Sequence, residues 1–67
     1  MIKFKERLKE LRNEINLSQA QLAKELDVSQ RCISSWETGF RQPDLKTLEK
    51  IAKYYNVSAD YLLGLDE

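Results

Sequence analysis

Apolar positions in this chain recur at helical spacing, and polar residues supply the stops between them. Phe4, Leu8, Leu11 and Ile15 step by four, three and four, which lays a single apolar stripe along a helix from about Phe4 to Ile15. Lys5, Glu6, Lys9, Glu10 and Asn13 fall on the other side, and Asn16 with Leu17 ends the segment. Ser18 opens a second helix as its N-cap, and Gln21 completes a Ser-x-x-Gln capping box. Leu22, Ala23 and Leu26 form the inner face of that helix. Asp27, more tolerant of the left-handed conformation than most residues, ends it.

The same start then repeats. Ser29 caps a third helix from Gln30 to about Glu37, and Gly39 is its stop. A fourth helix is entered through Pro43 or Asp44, with Leu45, Leu48, Ile51, Ala52 and Tyr55 turned inward. A fifth runs from Ser58 to about Leu63 and stops at Gly64. No strand-like alternation or internal repeat is present. Five helices on short loops predict an all-α, compact five-helix fold, read as one domain over residues 1–67.

Composition narrows the class. At 67 residues, the chain buries only about 60% of its unfolded surface. With 42% hydrophobic and 33% charged residues it reads as globular and not disordered. The lone Cys32 rules out an intramolecular disulfide and fits a reducing cytoplasm. No apolar run nears the roughly 20 residues a membrane span needs, and MIKFKERLKE does not read as a signal peptide. The expectation is a soluble cytoplasmic protein without a membrane partner. There is no histidine, no Cys/His metal spacing and no glycine-rich phosphate loop. Enzymatic chemistry, cofactors, metals and a small-molecule ligand are therefore not indicated.

Charge alone is silent about partners, since 11 basic residues balance 11 acidic ones. Geometry has to decide. On a wheel of 100° per residue, Ile33 and Trp36 share one side of the third helix. Glu37 and Cys32 mark the margins of that side. Gln30, Arg31, Ser34 and Ser35 occupy the opposite face. An ordinary solvated face mixes Glu with Lys, whereas this one offers an amide, a guanidinium and hydroxyls. Those groups suit base edges: Gln pairs with adenine, Arg with guanine, and Ser with either.

Spacing is the stronger signal. Counting Gln19 as the first of a 20-residue unit, Leu22, Ala23, Leu26, Val28, Ile33 and Trp36 fall at places 4, 5, 8, 10, 15 and 18. Small Ala23 permits a close crossing, while Ile33 and Trp36 plug the angle. The unit, about residues 18–37, is a helix-turn-helix. "LSQ..LA", "VSQ..IS..E.G", "P....L..IA" and "VS.DYLL" extend the pattern over about residues 4 to 65. In these motifs the chain resembles the lambda-repressor-like family of phage repressor and Cro DNA-binding domains. It departs from that family at Asp27, where Gly is usual, a change that bears on the turn and not on the fold.

The resemblance implies roles for named residues. Gln30, Arg31, Ser34 and Ser35 would contact bases from the third helix in the major groove. Ser18, Gln19, Arg41 and Lys46 would contact phosphates, with Ser18 an N-cap first. Arg12 and Glu37 would form a partly buried salt bridge fixing the third helix against the first. Phe40 reads as a loop anchor and not as a wedge into DNA. Trp36 reads as a core plug, Cys32 as a small residue at the helix rim, and Tyr54 and Tyr55 as core or interface. The implied protein is a bacterial or phage transcriptional regulator, a repressor by preference. It would bind a pseudo-palindromic double-stranded operator as a homodimer, with Tyr61, Leu62 and Leu65 offering a dimer surface. A rival reading is a protein-interaction module or antitoxin on the same scaffold. The length suits a small complete regulator or a domain of a longer one.

Overall fold

The computed structural model describes residues 2–66, leaving Met1 and Glu67 of the expected 1–67 unit outside the described residues. Its elements are α1 (Phe4–Glu14), α2 (Gln19–Leu26), α3 (Gln30–Thr38), α4 (Leu45–Tyr55) and α5 (Ala59–Leu63). Side-chain oxygens start four of them. Ser18, Ser29, Asp44 and Ser58 accept the backbone N–H of Gln21, Cys32, Thr47 and Tyr61 respectively, satisfying donors that a helix N-terminus leaves open. The capping box of α2 is complete, because the Ser18 N–H also donates to Gln21 Oε1 at 2.8 Å. Asp44, and not Pro43, caps α4, and the Thr47 hydrogen bonds hold its carboxyl below the usual carboxylate range.

Left-handed residues end the helices. Asp27, Gly39, Asn56 and Gly64 close α2 through α5, and Asn16 turns the chain after α1. Asn16, Asp27, Gly39 and Asn56 each bend the chain sharply enough for the next helix to pack back. The core between them is apolar: Phe4, Leu8 and Leu11 from α1, Leu22, Ala23 and Leu26 from α2, Ile33 and Trp36 from α3, Leu48 and Ile51 from α4, and Leu62 from α5. α3 packs on both α1 and α2, while α5 packs on α1 and α4. Phe4 and Trp36 meet edge to face at 6.4 Å, joining α1 to the far end of α3. Among the described residues no helix is long and apolar enough to cross a membrane.

Two inward assignments and one outward assignment change. Ile15 is 51% exposed, because α1 ends at Glu14 and the chain turns at Asn16 before the next apolar step is completed. Leu45 is 85% exposed. It is the first residue of α4, and the buried side of that helix begins one turn later at Leu48. Leu62 is fully buried in the core and so is removed from the suggested dimer surface. Tyr61 is half-buried under the Arg7 guanidinium, which sits 4.2 Å from its ring centroid, and only Leu65 of that set is exposed.

Candidate nucleic-acid interface

The two Ser-Gln starts lie at the N-termini of α2 and α3, and the chain between them turns through Asp27 at φ 57°. Asp supplies here the left-handed residue that a tight inter-helix turn requires. Beyond it, Val28 N–H donates to Ala23 O at 2.9 Å, which closes the turn onto the C-terminus of α2.

One carboxylate ties these helices to each other and to α1. Glu37 accepts Arg12 Nε at 2.6 Å and Arg12 Nη2 at 2.9 Å, so the pair is bidentate. Arg12 Nη1 donates to Leu17 O at 2.8 Å, and Gln19 Nε2 donates to Glu37 Oε1 at 3.2 Å. α1, the α1–α2 turn, α2 and α3 thus meet at a single ionic centre. Its hydrogen bonds to the Glu37 carboxylate hold the Arg12 guanidinium above its ordinary pKa. Tyr55 lies beside this centre with its hydroxyl buried and, among the described residues, without a hydrogen-bond partner. Burial first, then neighbouring Tyr54, pushes its phenol up to about 12, with Arg12 pulling the other way.

Gln30, Arg31, Ser34 and Ser35 all line one open concavity of ≈ 490 Å³, together with Gln19, Thr38 and Phe40. The structure therefore brings every residue of the expected base-contacting set onto one side of α3, next to the start of α2. Gln19 shares that surface, but one of its amide N–H groups is committed to Glu37. Ser18 has its hydroxyl oxygen engaged in the cap. A second hollow of ≈ 360 Å³ flanks α3, where Arg31 and Arg41 stand with Ser35, Phe40, Cys32 and Trp36. The loop there is held by the Arg41 N–H donating to Ser35 O at 3.2 Å. Lys46 is exposed on the first turn of α4 and lines neither hollow. Cys32 is half-buried and accepts a hydrogen bond from Ser29 Oγ at 3.3 Å.

Phe40 is not a loop anchor. It is 78% exposed, because left-handed Gly39 turns the chain outward immediately before it. Thr38 and Phe40 are the residues of the concavity that sequence reasoning did not place there. For Phe40 the signal was present, since a residue just past a left-handed stop leaves the helix and its core side. Among the described residues no cluster of three or more His, Cys, Asp or Glu could hold a metal ion.

A helix-turn-helix family model matches residues 8–62. The chain belongs to this helix-turn-helix family. Within it, the chain is 44% identical over 61 residues to the transcriptional regulator ImmR of Bacillus subtilis, covering 91% of this chain and 48% of that protein. It is 42% identical over 66 residues to the transcriptional activator BcrR of Enterococcus faecalis, covering 98% of this chain and 32% of that one. The chain thus spans half or less of these curated relatives. The helix-turn-helix also superimposes on the P22 c2 repressor in complex with a synthetic operator, with a TM-score of 0.84 and 35% identity, covering 90% of this chain and 91% of that one. The five-helix, lambda-repressor-like architecture is that of the P22 c2 DNA-binding domain.

Proposed function

We propose that this helix-turn-helix binds a double-stranded operator with α3 in the major groove and regulates transcription, acting as a repressor by occluding a promoter. The observation that carries this reading is the gathering of Gln30, Arg31, Ser34 and Ser35 around one open concavity beside the start of α2. A nine-residue helix is roughly 13 Å long, close to the major-groove width of about 12 Å. The ionic centre at Glu37 and the Phe4–Trp36 contact hold α3 rigidly from behind, so its polar side meets DNA preorganised. Likeness to a repressor crystallised with an operator supports the same reading. Cytoplasmic location follows from that role.

Two copies are needed for a useful site. The protein measures 29 × 23 × 21 Å, whereas recognition helices on a two-fold operator lie about 34–36 Å apart. Copies side by side along the 29 Å axis, with side chains between them, approach that spacing. The face that suits the contact is centred on Leu45, not on Leu62. Leu45 and Leu48 border a hollow of ≈ 480 Å³ with Glu49, Ala52, Lys53 and Val57. Glu49 and Lys53 lie one helical turn apart, so a two-fold axis between them sets each against the other's opposite charge.

Selection of bound duplexes from a random library at roughly physiological salt is the test. An enriched inverted repeat, lost in a folded Arg31→Ala/Ser35→Ala variant, is the expected result. Folded protein that enriches nothing, alone or at concentrations that drive dimerisation, overturns the operator reading and favours a protein-interaction module.

A further inference from the structure

The C-terminal end of α3 holds a feature that the base-facing side does not use. Gly39 leaves α3 with φ +81°, and a methyl group built on it would stand 3.1 Å from Lys5 Cδ and 3.7 Å from Lys5 Nζ. The lysine stem from α1 therefore lies across bare backbone at a point far from it in sequence. Lys5, Arg41 and Gln42 line one hollow of ≈ 180 Å³ there, over the buried rings of Phe4 and Trp36. Among the described residues neither Lys5 nor Arg41 is engaged in an ion pair.

Two cations sharing a small hollow repel each other unless an anion enters between them. The carbonyl end of α3 favours a positive charge nearby and keeps the ammonium at this spot. The hollow then presents an ammonium, a guanidinium fork and an amide NH2, each able to donate, with no carboxylate in its lining. That set recognises a phosphate oxygen. Arg41 also lines the hollow it shares with Arg31 and Ser35, so an anion seated by Lys5 is continuous with the base-facing side.

We propose that Lys5, with Arg41 and the Gln42 amide, seats one phosphate diester of the DNA strand that passes the end of α3. This rests on the reading that α3 enters the major groove. Lys5 adds a sequence-independent contact from α1, so it sets register and affinity and not base preference.

The experiment compares wild type, Lys5→Gln and Lys5→Arg on the selected operator and on an unrelated duplex across a salt series. Lys5→Gln is expected to weaken both duplexes several-fold by the same factor. It should also reduce the slope of log K against log[salt] by about 0.9, the value of one phosphate contact, while Lys5→Arg stays near wild type. A single methylphosphonate should exist in the operator that weakens wild type but not Lys5→Gln. Thermal melting of each variant checks that the fold is intact, as expected for an exposed side chain. An unchanged slope and affinity in Lys5→Gln overturns the phosphate seat while leaving operator binding standing. Loss confined to one sequence overturns it in favour of base readout. Failure of wild type to bind any duplex at low salt instead overturns the operator reading, and this proposal with it.

Discussion

Arg12 and Glu37 face each other through two parallel hydrogen bonds, with side-chain exposures of 12% and 3%, and this pair joins α1 to the helix that carries the base-facing residues. Removing one partner strands the other charge away from water, which costs about 3–5 kcal/mol in a well-buried pair. Arg12→Met is expected to lower the free energy of unfolding by that much, and the urea midpoint falls with it. Arg12→Lys should rescue little, since an ammonium cannot reproduce the fork or the third bond to Leu17 O. Arg12→Met/Glu37→Leu should regain most of the loss. Equilibrium urea unfolding decides, and an Arg12→Met protein that unfolds at the wild-type midpoint removes the structural role.

Gly64 is the least replaceable stop in the chain. Its φ is +79°, and an added Cβ would fall 2.9 Å from both Cβ and Cγ of Lys3. The Lys3 N–H donates to Leu63 O at 3.1 Å beside it, so the α1 entry cannot retreat freely. At Gly39 the corresponding neighbour is Lys5 Cδ at 3.1 Å, part of a flexible stem. Gly39→Ala should therefore cost about 1–2 kcal/mol, the penalty of the left-handed region itself, and Gly64→Ala should cost more. Thermal melts of the two variants side by side test the order, and equal losses would mean that Lys3 yields as easily as Lys5.

Most of this architecture was readable because its signals are local. Ser18, Ser29 and Ser58 each cap a helix through a bond that spans three residues, and the apolar spacing of α2 and α3 fixes their crossing. Leu45 and Ile15 were misread for one shared reason. Periodicity says which side of a helix is apolar, but not whether a neighbour covers its last or first turn. Leu62 shows the converse, since its burial depends on α1 and α4 closing over α5. The outward face of α3 was legible residue by residue, and the Arg12–Glu37 pair followed from family resemblance. The hydrogen bond from Gln19 to Glu37 and the approach of Lys5 to Gly39 were not legible. Both join residues remote in sequence through side-chain reach, on which no periodicity bears.

Tyr55 carries a buried hydroxyl without a partner among the described residues, and its pKa is pushed up to about 12 by burial. In the unfolded chain a tyrosine ionises near pH 10. Between about pH 10 and 12 the folded state thus holds a proton that the unfolded state releases. Its contribution is complete below pH 10 and is lost as pH rises through that window. Tyr55→Phe has no such proton. It should be at least as stable as wild type at neutral pH, because an unsatisfied buried hydroxyl is removed. Its stability should also fall less steeply with pH above 10. Urea midpoints between pH 8 and 11 report the difference, and parallel curves would place the Tyr55 hydroxyl in water.

Leu45 and Leu65 separate two placements of the dimer contact. Both are exposed, at 85% and 64%, so a charge at either should leave monomer stability within about 0.5 kcal/mol. Leu45 adjoins the hollow with Glu49 and Lys53 and a second apolar one with Ile2, Pro43 and Leu63. Leu65 follows α5, where Tyr61 is covered by Arg7 and Leu62 is buried. Leu45→Glu is therefore expected to abolish cooperative filling of the two half-sites while binding of a single half-site persists. Leu65→Glu should leave both unchanged. Sedimentation equilibrium and half-site titration measure association and cooperativity separately. The opposite pattern, with Leu65→Glu monomeric and Leu45→Glu unaffected, would return the contact to the C-terminal helix and leave the Leu45 face to another partner.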